Sequence, residues 1–275
     1  MTAPDTPSRT PTRRRALTLL AGAAATTAAA WAHGETEPAA DQLAESGAAV
    51  DRLPSWTGLV AVTDSRGTEA VRRRSGRMAT RLEGPAGVPQ RLYVFTAPDD
   101  IRGTTLLIHE HPDRDDDIWL YLPSLGKTRR MAGGGRKSSF VGTQYAFFDL
   151  MSFEPARYRH TVAGSVSWEG RSCWILESTP RDAAYAEDIG RSKLRSWIDK
   201  ANHQTLRVDH HDASGSAFKR HVLGGFAAAP GGKALATART MTHLHNGSST
   251  HIAIEQIDFQ ARLASADFQP ARLAP

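Results

Sequence analysis

Eleven histidines in a chain of 275 residues invite a search for metal chemistry. The clearest clusters are His109-x-His111, His210-His211 and His243-x-His245. Two histidines at i and i+2 on a strand project from one face, so each such pair could supply two ligands to zinc or copper. No third ligand stands at a fixed spacing from any of them. The acidic run Asp113, Asp115, Asp116 and Asp117 lacks the glycine and closing glutamate of a calcium loop. In "HEHPDRDDD" it has instead the polarity of a hairpin end. Other reactive types are isolated: Ser167 and the single cysteine, Cys173, have no base beside them in sequence. There is no G-x-S-x-G elbow, H-E-x-x-H pair, phosphate-binding loop or dinucleotide fingerprint. The expectation is a protein without a catalytic centre, cofactor or resident metal, with a metal-dependent hydrolase built on the histidine clusters as the rival.

A different chemistry is suggested by residues 117–150, where two aromatic-rich runs flank a basic loop containing Gly133-Gly134-Gly135. Arg129, Arg130, Arg136 and Lys137 could form a polar rim, and Phe140, Tyr145, Phe147, Phe148 and Leu150 an apolar wall. The alternative is a hairpin with solvated cations and core aromatics. Asp149, within the same stretch, suits capping or bracing local structure.

The elements that would position these residues are mostly strands. Short β-branched, aromatic and aliphatic runs separated by Gly, Pro and Asp occur at 58–64, 70–74, 77–83, 91–96, 104–111, 117–122, 127–132, 158–163, 165–169, 172–179, 193–199, 205–211, 216–224, 236–243 and 251–259. Helical spacing is confined to 41–53, where Leu43, Val50 and Leu53 share a face, with weaker signals at 143–150 and 181–189. A short closing segment covers 266–273. This is an α+β chain built on one large antiparallel sheet.

Several strands are apolar on both faces. In "IWLYL", Ile118, Leu120 and Leu122 oppose Trp119 and Tyr121, and in "CWILE", Cys173 and Ile175 oppose Trp174 and Leu176. An antiparallel sheet with one wet face would alternate apolar and polar. Either a thick core or an apolar cavity inside a curled sheet satisfies the pattern.

The first residues read as an export signal. Arg13-Arg14-Arg15 precede a weakly apolar Ala/Thr run that ends in the small-x-small site Ala30-Trp31-Ala32, predicting cleavage after residue 32. "TRRRAL" resembles a twin-arginine signal. The organisation expected is a leader at 1–32, a flexible terminus at 33–40 and one domain at 41–275. The net charge of +5 falls to +2 without the leader, which carries Arg9, Arg13, Arg14 and Arg15 against Asp5. Such a balance gives no reason to expect a nucleic-acid partner. Arg72-Arg73-Arg74 reads as a solvated strand end, and Cys173 as a buried small hydrophobe.

A long motif then becomes visible. "FTAPDDIRGTTLLIHE" places Phe95, Pro98, Asp100, Ile101, Gly103, Thr104, Leu106 and Leu107 in register with it. "DIWLYLPSLGKTRRM" adds Trp119, Tyr121, Leu122, Pro123, Lys127, Arg129 and Arg130. "RKSSFVGTQYAFFDL" adds Arg136, Ser139, Phe140, Gly142, Thr143, Tyr145, Asp149 and Leu150. Together they resemble the outer membrane lipoprotein-sorting proteins, relatives of the LolA and LolB carriers. "DFQPARL" is similar to that family's C-terminal segment. Val141, Gln144 and Phe147 or Phe148 depart from its usual Met, Asp and Tyr, which removes any role for an acid at 144.

The resemblance implies a LolA-like half β-barrel, a curved antiparallel sheet with a helical lid over an apolar cavity that takes acyl chains. It implies a periplasmic carrier of lipids or lipoproteins. The partner would be an exporter of the resistance-nodulation-division type or an outer-membrane acceptor. A sensor of envelope stress using the same fold is a further reading. Cavity candidates are Leu107, Trp119, Tyr121, Phe140, Tyr145, Phe147, Phe148, Leu150, Trp174 and Leu176.

Overall fold

The computed structural model describes residues 37–85, 87–111, 114–131 and 135–274. The expected leader, residues 33–36 of the expected flexible terminus, Asp113, Gly133 and Gly134 lie outside them. Residues 37–275 cluster as one compact unit. Thirteen strands make one sheet: β1 (Trp56–Arg66), β2 (Glu69–Glu83), β3 (Val88–Ala97), β4 (Thr105–His109), β5 (Asp117–Leu122), β6 (Lys127–Arg130), β7 (Tyr158–Trp168), β8 (Arg171–Pro180), β9 (Lys193–Asp199), β10 (Thr205–His211), β11 (Ala217–Ala229), β12 (Lys233–His243) and β13 (Ser248–Asp258).

Their spatial order, β6-β5-β4-β3-β2-β1-β13-β12-β11-β10-β9-β8-β7, is a meander in which every neighbour is antiparallel and the first strand pairs with the last. The ring is broken at one place only among the described strands, between β6 and β7. The chain between these two edges, residues 131–157, therefore leaves one side of an open barrel and returns on the other. It contains the third block of the motif.

Two expected pairs of strands are single strands here. The 70–74 and 77–83 runs join in β2 because Ser75-Gly76, which reads as a turn, stays extended. A side chain at Gly76 would put its Cβ 2.6 Å from the Val94 carbonyl oxygen of β3, so the glycine is required by close backbone approach. The 158–163 and 165–169 runs join in β7 across a register shift between Val162 and Ser165.

Helix α1 (Ala40–Asp51) buries Leu43, Ala44, Gly47 and Ala48, a stripe of one large and three small residues that lets it lie close against β7, β8 and β12. The expected Leu43, Val50, Leu53 face is shifted: Val50 is half-buried, and Leu53 lies beyond the helix end, where Pro54 disfavours helical conformation for the residue before it. Helix α2 (Ala183–Ile189) starts at Asp182, whose carboxylate accepts from the Ala184 amide at 3.0 Å, and ends on left-handed Gly190. The 143–150 signal becomes a single turn, Phe147–Leu150. The closing segment forms two short turns, Ser265–Phe268 and Pro270–Arg272.

Both faces of the sheet are covered. On the inner face Trp56, Val60, Val62, Met78, Phe95, Leu106, Ile108, Ile118 and Ile254 form the main core with Phe140 and Phe147 of the crossing segment. On the outer face Leu107, Trp119 and Tyr121 pack under Phe268 and Leu273, and Cys173, Ile175, Trp197 and Leu206 form a second cluster. Arg207 caps that second cluster by stacking over Trp197 at 3.9 Å and Trp168 at 4.7 Å.

Candidate functional site

Strands apolar on both faces are compatible with a thick core or a cavity, and the structure leaves a cavity of about 200 Å³ on the inner face. By the space a water requires, this is room for roughly 13 to 20 waters. Helix α1 roofs one end with Ala44, Gly47, Ala48 and Asp51. The walls are Trp56, Met78, Tyr93, Leu176, Leu194, Ile198, Val208, Leu223 and Leu235 from eight strands, and Phe148, Leu150, Met151 and Phe153 of the crossing segment close the side. A smaller lobe of about 30 Å³ shares Met78, Tyr93, Asp149, Leu150 and Arg239 with it and is lined further by Phe95, Phe140, Tyr145, Ile252 and Ile254.

The crossing segment is fastened across the inner face by polar contacts. The Gln144 amide donates to Thr250 Oγ1 of β13 at 2.8 Å, and its carbonyl accepts from Lys219 Nζ of β11 at 2.5 Å. Arg74 of β2 donates to the Val141 carbonyl at 3.2 Å and pairs with Asp64. Arg91 of β3 donates to Ser152 Oγ at 2.8 Å and pairs with Glu110 at 2.6 Å. Arg74 is therefore not the solvated strand end expected from its run of arginines; it is 3% exposed and holds the lid down.

Asp149 is the centre of this bracing. Its Oδ2 accepts from the Ala146 amide at 2.7 Å, and both its oxygens lie 3.3 Å from Arg191 Nη2. Arg191 also donates to the carbonyls of Ile189 and Gly190 and, through Nε, to His210 Nδ1 at 3.0 Å. The Asp149 and Arg191 side chains are 1% and 3% exposed. Thus the motif aspartate braces the lid, as its position in the sequence suggested.

The predicted wall divides by strand parity. Phe148, Leu150 and Leu176 line the main cavity, while Phe140, Tyr145 and Leu150 line the lobe. Phe147 and Trp174 are buried in the inner-face core beside these spaces. Leu107, Trp119 and Tyr121 belong to the outer face and line neither, because β4 and β5 turn alternate residues away from the cavity and the C-terminal segment covers them.

The predicted basic rim is likewise split. Arg129 and Lys137 are exposed. Arg130 is exposed but paired with Asp117. Arg136 is no rim residue: it is 5% exposed and sits between Asp115, Asp116 and Asp188 at 3.4, 3.4 and 3.2 Å. Asp115 and Asp116, from the acid run that reads as a hairpin end, are part of its counter-charge. Burial pushes the Asp116 carboxyl up to about 6, whereas a hydrogen bond from Arg114, with others from Arg130 and His111, holds Asp117 below the usual carboxylate range.

The histidine pairs do not converge. Among the described residues no group of three His, Cys, Asp or Glu side chains could hold a metal. His109 Nε2 lies 2.8 Å from the Phe268 carbonyl and His111 Nε2 3.0 Å from Asp117. His243 and His245 pack edge to face. His210 lines the cavity, and His211 does not. Cys173 is buried on the outer face.

Sequence reasoning missed the polar residues of the cavity: Asp51, His210, His221 and Arg239. His210 stood out only as half of a histidine pair. Asp51 lines the cavity from the end of α1, where it is also exposed to solvent. Burial lowers His221 to about 3, keeping it neutral.

Comparison with known proteins agrees with this geometry. A family model described as "-like: Uncharacterized protein" matches residues 87–274. The chain belongs to that family. Among solved structures it is similar to a Vibrio parahaemolyticus domain assigned to outer membrane lipoprotein sorting, with 26% identity, TM-score 0.79 and coverage of 86% of this chain and 98% of that one. A DUF1329 family protein from Desulfovibrio piger superposes with TM-score 0.77 at 24% identity, covering 85% and 97% of the two chains. A LolA superfamily protein from Nitrosomonas europaea gives TM-score 0.65 at 17% identity, covering 85% and 98%. The last two similarities establish the fold, a LolA-like half-barrel. No curated protein sequence matches the chain.

Proposed function

We propose that this protein is an exported, non-enzymatic carrier that holds an acyl chain of a lipid or lipoprotein in the cavity under α1 and the crossing segment. The observation that carries the reading is the cavity itself: a space walled mostly by aliphatic and aromatic residues, with polar groups over nearly half of its lining, under a lid that is braced to the sheet by side-chain contacts. A methylene group occupies about the volume of a water molecule, so the space suits one chain of roughly 13 to 20 carbons. Each methylene withdrawn from water contributes about 0.8 kcal/mol. A carrier so built needs few polar contacts for affinity and a lid that opens for release.

The arginine-rich N-terminal segment, read as an export signal, and the lipoprotein-sorting assignment of the Vibrio relative favour work in the periplasm. No described helix is long and apolar enough to cross a membrane. Transfer to an outer-membrane acceptor, or exchange with an exporter of the resistance-nodulation-division type, is the role this reading assigns.

The test is extraction of acyl-labelled lipid from vesicles by the purified protein, compared with Ala236→Trp. Ala236 is buried and lines the cavity, so the indole fills space meant for ligand. Loss of extraction with circular dichroism unchanged supports the proposal. Equal extraction by both proteins contradicts it.

A further inference from the structure

Three buried polar atoms of the main cavity and its lobe have no partner among the described residues. Tyr145 is 1% exposed, and its hydroxyl makes no hydrogen bond among the described residues. His210, 4% exposed, accepts from Arg191 Nε through Nδ1. A guanidinium only donates, so the proton of the neutral ring sits on Nε2, and that N–H has no acceptor. His221, packed edge-on against Tyr145 with centroids 5.4 Å apart, also has an unpartnered Nε2. Unsatisfied buried polar atoms are rare enough in native proteins to require an explanation.

The charges around them do not balance. Arg191 and Asp149 neutralise each other as a close pair. Arg239 of β12 donates Nε to the Ala236 carbonyl at 3.1 Å and makes no ion pair among the described residues. Lys219 donates to the Gln144 carbonyl and lies over the Phe218 ring, with no ion pair among the described residues. Asp51, the remaining carboxylate lining the main cavity, is exposed to solvent at the helix end beside the equally exposed Arg52, and Arg91 is matched by Glu110. A net positive interior lined with idle donors is costly when empty and stabilised by an anion.

Shape limits what that anion is. The lobe between Tyr145, Asp149 and Arg239 has about 30 Å³, room for two or three waters. Asp149 would repel an anion there, but both of its oxygens are engaged by Arg191 and one also by the Ala146 amide.

We infer that Arg239 and Tyr145, which line the lobe, form an anchor for an anionic, carboxylate-sized head group, so that the ligand is a single-chain amphiphile bound head-inward with its chain along the main cavity. The inference rests on the carrier reading above and adds the polarity and orientation of its cargo.

The experiment uses the delipidated protein loaded with N-phenyl-1-naphthylamine, a neutral fluorophore for apolar cavities, and displaces it with palmitate, methyl palmitate or 1-palmitoyl lysophosphatidate. A hydrogen-bonded charge predicts that palmitate displaces at least about ten-fold better than its methyl ester. It should also displace better than lysophosphatidate, whose chain is the same and whose head is larger. Arg239→Met should abolish the preference over the ester, and Tyr145→Phe should reduce it while stabilising the empty protein, since the hydroxyl it deletes has no partner. Equal displacement by palmitate and methyl palmitate overturns the anchor and leaves the carrier intact. Stronger displacement by lysophosphatidate overturns the carboxylate-sized head. No displacement by any of the three overturns both readings. Should Arg239→Met fail to fold, the wild-type comparison and Tyr145→Phe decide.

Discussion

The brace between Asp149 and Arg191 offers the sharpest energetic test of how the lid is held. Asp149→Ala removes a carboxylate that is 1% exposed from an arginine that is 3% exposed. It leaves the Arg191 Nη2 hydrogens without an acceptor and the Ala146 amide without its cap. Breaking a buried pair on one side typically costs about 3–5 kcal/mol, because the surviving charge stays buried. Arg191→Met should cost a similar amount and also free His210 Nδ1 and the Ile189 and Gly190 carbonyls. The double variant Asp149→Ala/Arg191→Met removes both charges, so its cost should fall short of the sum of the singles by about 2 kcal/mol or more. Urea unfolding followed by tryptophan fluorescence measures all three, with an unchanged slope taken as the sign that only stability moved. A loss below about 1 kcal/mol for Asp149→Ala, or simple additivity in the double variant, would refute the claim that this pair anchors the crossing segment.

Other expectations follow from single positions. Gly47 lies in the middle of α1, where an added Cβ meets nothing nearer than 3.7 Å, so Gly47→Ala should raise stability by up to about 1 kcal/mol in thermal or urea unfolding. Asp116, whose side chain is buried, is pushed up to about 6 in the folded protein against 3.8 for a free carboxylate, which favours the folded state when it is protonated. Its contribution is full below pH 3.8 and is lost as pH rises through 6, so stability measured from pH 4 to 7 should fall on its account. Asp116→Asn should remove that part of the slope. In calorimetry with carboxylates of increasing length, each added methylene should tighten binding about four-fold until the chain outgrows the cavity. A flat series would show that the chain stays outside.

Much of this architecture is legible in the sequence, because strand-forming runs and turn residues are local signals. Apolar residues on both faces of "IWLYL" and "CWILE" announce a sheet covered on two sides. Alternation does not say which face is inside. Leu107, Trp119 and Tyr121 lie under Phe268 and Leu273, about 150 residues away in the chain, and no local pattern reports such a partner. The same limit explains Arg136 and Arg74. A basic residue in a polar run reads as solvated unless its acids are known to fold onto it, and here Asp115, Asp116, Asp188 and Asp64 do so. The motif segment shows the opposite case. Its aromatics and Asp149 carry enough specific spacing to mark the lid before any fold is seen, while the isolated inward positions of His221 and Arg239 are set only by strand register.

The central claim is that the cavity holds an acyl chain. Mass spectrometry of organic extracts tests it most directly, using protein produced with its own N-terminal segment, purified from the periplasm without detergent and compared with an unrelated periplasmic protein. The account predicts an enriched acylated species near one per protein; an extract no richer than the control would contradict it.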